Sequence, residues 1–589
     1  MKRRFSKAAA AVLALCMMWT MAACAPKEKA VSFESFTEQA VHALMQDDYV
    51  SIRYFYKDPK AAGFTEMTPT FGHVQAESNE TDKELLAQLA KFDRTKLDKN
   101  QQMTYDLMQW VLENSIASEG MDYYANPNAP NYGWQAQIQN TLAELELADK
   151  TQVEEYLTLL ADMPRYVEEL LAFQQKKHDA GLGIAPEQAK LAQKECKTFI
   201  EAGENNVLIG SFDERIDGLE GLTEEEKTTF KARNREVVQS ACIPAYQTLH
   251  DGLDKVKDEK NTGGPGSLKE GKAYAALLVK NNTMSDATPE EVLKELEDDM
   301  STKRGQMQIL LMKNPQLSKA FEKLDLSTKD AKASLDTLYT DSLADFPALP
   351  KTVQYTVSQV PAALVDTIRN PAYYMIPYVD ADDVNSIYLN EKYMDNDVLP
   401  TLAHEGFPGH MYQENYLRQN GASQLTQLLL PSGYAEGWAD YVQRYALKYL
   451  IEDEELAKLY AINVSLNYNL MCQMDLGVNC LGWDESELKD FLQKNMNSDM
   501  DDASIAEIYQ LFLSDPCGYL KYYCNSLAIE QLYEKAEEAL GGEMDDKAFH
   551  QAILEALPTQ KGMQDAVDAY IQSVQGTTDK GEAPLAPAA

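Results

Sequence analysis

The chain has little histidine, tryptophan, cysteine or positive charge. Seven histidines and five tryptophans serve 589 residues. None of the eight cysteines falls in a Cys-x-x-Cys pair, which excludes a zinc knuckle. Lys and Arg number 54 against 93 Asp and Glu, a net charge of −39. That deficit opposes nucleic-acid binding, which needs basic patches. It also opposes electrostatic adhesion to anionic lipid. Beyond the N-terminus no window reaches the ~18 consecutive apolar residues of a membrane span.

The N-terminus has a pattern of its own. Lys2, Arg3, Arg4 and Lys7 precede an apolar run from Ala8 to Met18. Met21-Ala22-Ala23-Cys24 then reads as a bacterial lipobox. Residues 1–23 are expected to be a lipoprotein signal peptide, too short to remain as a span. Cleavage before Cys24 makes it the lipidated residue, and two acyl chains suffice for stable anchoring. Residues 24–33 form a tether. The expected location is extracytoplasmic and membrane-anchored. The alternative is a secreted protein cleaved near Ala23. Loss of the four basic leader residues leaves about −43, so the lipid, not charge, must hold the protein to the membrane.

Amphipathic segments with helical period dominate residues 34–257: Ser35 to Gln46, Asp82 to Lys91, Gln101 to Ser118, Thr151 to Lys177, Ala185 to Ala202, and Thr223 to Val256. Thr223 and Glu226 form a capping-box start. Residues 258–271, with Gly263-Gly264-Pro265-Gly266, read as a loop between this helical region and a catalytic region, 272–575. Thr288-Pro289-Glu290-Glu291 opens another helix, with threonine as cap and proline in the first turn. Val353 to Val360 alternates like a strand, and Pro371 to Tyr378 and Asn385 to Asn390 add short extended runs. The expected fold is mainly α, with a small sheet beside the site helix whose exposed edge can hold an extended peptide. The tail, 576–589, is polar and rich in Ala and Pro, and is expected to be disordered.

The chemistry concentrates at His404-Glu405-Gly406-Phe407-Pro408-Gly409-His410, which uses two of the seven histidines. Helix positions i and i+4 share a face, whereas i and i+6 are about 240° apart. A continuous helix cannot bring His404 and His410 to one metal. Pro408-Gly409 lies between them, and proline breaks the helical ladder while glycine frees the backbone. The spacing therefore predicts a bend or bulge that returns His410 to His404. A zinc site needs a third ligand and an open position. Glu436 is the candidate, on a helix over Ser432 to Leu450. Asp440, one turn on, is a candidate to accept from the outer nitrogen of a ligand histidine. Glu405 points away from His404 and suits the role of general base.

Thr401-Leu-Ala-His-Glu-Gly-Phe-Pro-Gly-His410, with Gln413 after it, resembles the His-Glu-x-x-Pro-Gly-His signature of a bacterial family called domain of unknown function 885. Glu436-Gly-Trp-Ala439 with Tyr441 is similar to its second signature. Pro516-Cys-Gly-Tyr-Leu-Lys-Tyr522 is similar to a third, with Cys517 and Gly518 in place of the usual Gly and Gln. Gly271 to Leu278 and Phe549-His550 are weaker likenesses. The resemblance is densest from about Gly271 onward. It implies a gluzincin-like (zincin-like) multi-helix metallopeptidase holding one zinc ion through His404, His410 and Glu436.

Tyr522 lies on the third signature and is the expected oxyanion donor, with His550 as the alternative. Tyr519 and Tyr523 are less favoured, and Arg369 and Lys521 are not assigned. Cysteine pairing stays open, and Cys517 and Cys524 are expected to pack in a core. The function expected is a zinc-dependent peptidase using metal-activated water on a peptide or small-molecule substrate. The rivals are a non-catalytic peptide-binding lipoprotein and a metal-dependent hydrolase of a non-peptide amide or ester.

Overall fold

The computed structural model describes residues 31–581 apart from 47, 77, 383, 395–396 and 497–499. The leader, Cys24 and the end of the tail lie outside the described residues. Helices dominate, and one three-stranded sheet is the exception.

The first half is a succession of amphipathic helices. The long periodic stretch from Thr151 becomes two, Lys150–Ala161 and Met163–Asp179, because Pro164 fits only a first turn. The stretch from Thr223 passes through a π segment at Val238–Cys242, just ahead of Pro244. The Thr223/Glu226 capping box forms. Three α-helices of this half lie outside the expected segments, Tyr49–Phe55, Trp134–Glu144 and Val207–Gly218. Asn206 starts the last of them by accepting from the Leu208 amide at 3.0 Å. The core of this half includes Val360 and Leu364, so the chain after the first strand packs back onto it.

The second half carries the sheet: β1 (Tyr355–Gln359), β2 (Ala372–Met375) and β3 (Asn385–Leu389). The order is β1-β3-β2, with β1 parallel and β2 antiparallel to β3. Six helices matter most for the site: α1 (Pro289–Lys313), α2 (Val398–Glu405), α3 (His410–Gln419), α4 (Ser432–Tyr445), α5 (Glu454–Asn479) and α6 (Leu520–Leu540). α1 opens on the Thr288/Glu291 capping box. A second core joins Ile387 of β3, Leu402 of α2, Tyr412 of α3, Trp438 of α4 and Ile529 of α6. The last helix is Gln560–Gly581, and the rest of the segment expected to be disordered lies outside the described residues. The apolar stripe of this helix at Met563, Val567 and Ile571 joins the second core and anchors it. Among the described residues no helix is long and apolar enough to cross a membrane.

α4 and α6 pack closely at Gly437. A β-carbon there would lie 2.3 Å from the Asn525 β-carbon, so the contact admits only glycine. Gly437→Ala is therefore expected to lower stability by ~1–3 kcal/mol through overpacking. Urea unfolding would show it as a lower midpoint at unchanged slope.

Candidate metal centre

α2 ends at Glu405, and α3 begins at His410. Between them Gly406 leaves helical geometry at φ −111°, ψ −100°. The Gly406 amide still reaches the Leu402 carbonyl at 2.9 Å, the last bond of the α2 ladder. The chain then doubles back, and the Tyr412 amide donates to the Gly406 carbonyl at 3.1 Å. Gly409 packs directly on α2: a β-carbon there would lie 1.8 Å from the His404 carbonyl oxygen. The buried Trp438 indole N–H holds the interruption by donating to the Pro408 carbonyl at 2.9 Å. The break predicted from the spacing is thus present, spanning Gly406 to Gly409.

Its consequence is that the two imidazoles meet. Their ring centroids are 4.8 Å apart and nearly perpendicular. His404 Nε2 lies 3.5 Å and His410 Nε2 3.4 Å from one Glu436 oxygen. Ligand atoms about 2.1 Å from a tetrahedral zinc are themselves about 3.4 Å apart. Among the described residues this is the one group of three or more His, Cys, Asp or Glu spaced to hold a metal. The three side chains keep 13, 17 and 24 % exposure, so the cluster has an open side.

His404 Nδ1 faces Gln443 Oε1 at 3.0 Å. The amide oxygen can only accept, so Nδ1 carries the proton and Nε2 keeps its lone pair for a metal. Asp440 was the expected partner for such a nitrogen, but at His404 that place is taken by Gln443. Asp440 Oδ2 is taken by Arg444 Nη1 at 2.5 Å and by the Ser526 hydroxyl. Asp440 and Glu436 do share a helix, but Asp440 faces α6 and is fully buried.

The electrostatics suit an acidic, cation-seeking site. Burial alone would raise the Glu436 pKa, but hydrogen bonds and charge from both histidines hold it far below the carboxylate range. Burial lowers the His404 pKa, but Glu436 together with Glu405 and Asp440 lifts it to about 9. Glu405 is pushed up by burial and held back by the two histidines. It stands beside the three-atom cluster, and its Oε2 accepts from the Tyr374 amide on β2 at 2.9 Å.

Tyr522 opens α6 with its ring 6.3 Å from Tyr468 of α5. Among the described residues its hydroxyl has no hydrogen-bond partner. Burial first and the Glu436 charge second raise its pKa far above normal. Tyr468, unnoticed in the sequence, also feels Asp440 and Glu436. Tyr523 is engaged elsewhere, donating to Asp299 at 2.6 Å. Lys521 lies 3.8 Å from Asp515. Arg369 donates to Asn131 at 3.3 Å and lines a cavity of about 530 Å³.

His550 is corrected as an oxyanion donor. It is fully buried and stacked on Phe346. Nδ1 donates to the Asp345 carbonyl at 2.8 Å, and Nε2 accepts from the Tyr441 hydroxyl at 3.0 Å. Both nitrogens are spent, and burial pulls its pKa down to about 4.

The fold is thus mainly helical with a small sheet, and its site is a two-histidine, one-glutamate group able to coordinate a metal ion. The chain belongs to the family described as bacterial protein of unknown function (DUF885), whose model matches residues 63–556. No curated protein matches it. Its structure is similar to that of a candidate lipoprotein from Colwellia psychrerythraea, with TM-score 0.73 and 16 % identity over 92 % of this chain and 99 % of that one. A candidate lipoprotein of unknown function from Shewanella oneidensis is similar with TM-score 0.62 and 16 % identity, over 92 % of this chain and all of the other. These likenesses establish a shared fold.

Two outcomes are expected. Gly409→Ala forces the Gly406–Gly409 segment off α2 and should weaken divalent-metal binding about tenfold or more, measured by competition with a chelator. His550 binds a proton below pH ~6.5 when unfolded but only below about 4 when folded. The unfolded chain therefore holds more protons between those values, so stability rises with pH across that window. The loss on acidification is about 3 kcal/mol at its full extent. His550→Gln should lack this component in unfolding curves from pH 4 to 7 while keeping metal affinity.

Proposed function

We propose that the protein is a lipid-anchored, zinc-dependent peptidase of zincin-like architecture. The single observation that carries this reading is the meeting of His404 Nε2, His410 Nε2 and a Glu436 oxygen at ligand spacing. Two imidazoles and one carboxylate suit zinc better than the all-oxygen sites of magnesium. A bound zinc ion would supply Lewis acidity, lowering the pKa of a water and polarising the scissile carbonyl.

The remaining chemistry belongs to the chain. Gln443 fixes the His404 tautomer, and Trp438 holds the interruption that presents His410. Glu405 takes the proton of the attacking water and passes it to the leaving nitrogen. Burial raises its pKa above the ordinary carboxylate value, which favours a group that must take up and release a proton. Tyr522, with its free hydroxyl near Glu436, donates to the carbonyl oxygen as negative charge develops. β2 is an edge strand whose Tyr374 amide already meets Glu405, so a peptide laid along that edge passes the base. A cavity of about 330 Å³ between Tyr132 and Asp515-Pro516 adjoins the turn before α6 and gives room for flanking residues.

The location follows the leader. The reading of Cys24 as a lipidated N-terminus agrees with the descriptions of the two similar structures as candidate lipoproteins. Lipid then anchors the acidic chain outside the cytoplasm, within reach of peptides.

Purified mature protein is expected to hold about one zinc per chain. Glu405→Gln should keep the zinc and lose peptide cleavage by about 10²–10⁴-fold, read by mass spectrometry of a mixed peptide library. Tyr522→Phe should lower kcat about a hundredfold with little change in KM. Equal cleavage by wild type and Glu405→Gln would remove Glu405 as base. Full zinc without cleavage of any peptide would favour a binding protein or a hydrolase of other amides and esters.

A further inference from the structure

The end of α5, the turn ahead of α6 and α6 itself bring four cysteines into one buried cluster: Cys472, Cys480, Cys517 and Cys524. Two of them stand out. The Cys480 and Cys517 sulfurs lie 3.4 Å apart. Cys517 also sits at φ 65°, in the left-handed region. Glycine occupies that region freely, whereas a β-carbon is penalised there. The chain accepts a backbone cost at Cys517, and the side chain responsible meets another thiol. Cys472 donates to the Tyr519 carbonyl at 3.4 Å and its thiol also meets that of Cys524, but neither of these two sits in a strained backbone region. Nor do the four thiols form a metal site, since among the described residues only the histidine–glutamate group has ligand spacing.

We propose that Cys480 and Cys517 are joined by a disulfide in the mature protein. The proposal rests on the extracytoplasmic location given above, because thiols stay reduced in the cytosol. The 3.4 Å sulfur separation must shorten to the ~2.05 Å bond, which rotation of the two side chains would have to supply. The oxidant is a protein disulfide of the thiol–disulfide exchange class. The Cys480 thiolate attacks one oxidant sulfur and displaces the other as a thiolate, giving a mixed disulfide. The Cys517 thiolate then attacks Cys480 Sγ, forms the internal bond and releases the second oxidant thiolate. Two protons and two electrons leave the chain, and the oxidant ends as a dithiol. Both sulfurs are buried in the folded protein, so exchange happens while the cluster is still open during folding.

The bond has a consequence for the site. Asp475 of α5 already accepts from the Cys517 amide at 2.8 Å and the Tyr519 amide at 3.1 Å. The disulfide adds a covalent tie between the end of α5 and the same turn, at Cys517, five residues before Tyr522. It spans 37 positions of sequence, so it also constrains the unfolded chain.

The test uses the full chain taken from the membrane fraction of expressing cells, quenched in acid and then unfolded in urea with iodoacetamide present, so that buried free thiols are alkylated. Proteolysis and mass spectrometry are expected to find a Cys480–Cys517 linked peptide pair, with Cys196 and Cys242 alkylated. The N-terminal peptide of the same digest reports export and acylation separately, so a failure of the location is told apart from a failure of the pairing. Reduction should lower Tm by roughly 3 °C. Cys517→Gly, which suits the left-handed backbone, should fold and show no such response. Alkylated Cys480 and Cys517 in the exported chain, or a bond from either to another cysteine, would overturn the proposal.

Discussion

The site depends on a helix that stops. His404 and His410 are six residues apart, and any regular helix would aim them in different directions. They meet because α2 ends at Glu405 and the next four residues fold back on it. Gly409 can touch the His404 carbonyl only because it has no side chain. Trp438 pins the far side through the Pro408 carbonyl, and it belongs to the helix that carries Glu436. One indole hydrogen bond therefore couples the histidine segment to its carboxylate partner. Disturbing it would move two ligands relative to the third.

Beneath that contact lies a buried polar layer. Arg444 pairs with Asp440 at 2.5 Å and donates to Ser526 at 3.0 Å, and Lys303 of α1 reaches Glu530. These groups tie α4 to α6 and α1 behind the site. A buried ion pair gives little net stability but strongly punishes loss of one partner. Its use here is positional: it fixes α4, and so Glu436, against the helix that opens with Tyr522. The disulfide proposed at Cys517 would hold the start of that same helix from its other side.

Much of this was legible in the sequence, for identifiable reasons. The His-Glu and Pro-Gly elements pointed to both the side chains that meet and the break between them, because breakers act locally. The first strand showed through its alternation and the other two as short extended runs, and the capping boxes at Thr223 and Thr288 through their fixed spacing. What failed depended on tertiary partners. Asp440 was placed correctly on a face with Glu436, but its partners Arg444 and Ser526 could be known only once α6 packed there. Gln443, seven residues after Glu436, lies on the same stripe and takes the role assigned to Asp440. That spacing was the available signal. His550 looked like a donor because it is a rare polar ring, yet the core satisfies both its nitrogens. The final helix was hidden by a polar composition whose sparse apolar residues still keep helical period.

The central claim is that three atoms from two interrupted helices and α4 share one metal ion. Anomalous diffraction at the zinc edge, from crystals of the purified protein with no metal added, tests it most directly. The account predicts one strong peak about 2.1 Å from His404 Nε2, His410 Nε2 and a Glu436 oxygen. A peak bound elsewhere, or zinc held by only one of the histidines, would contradict it.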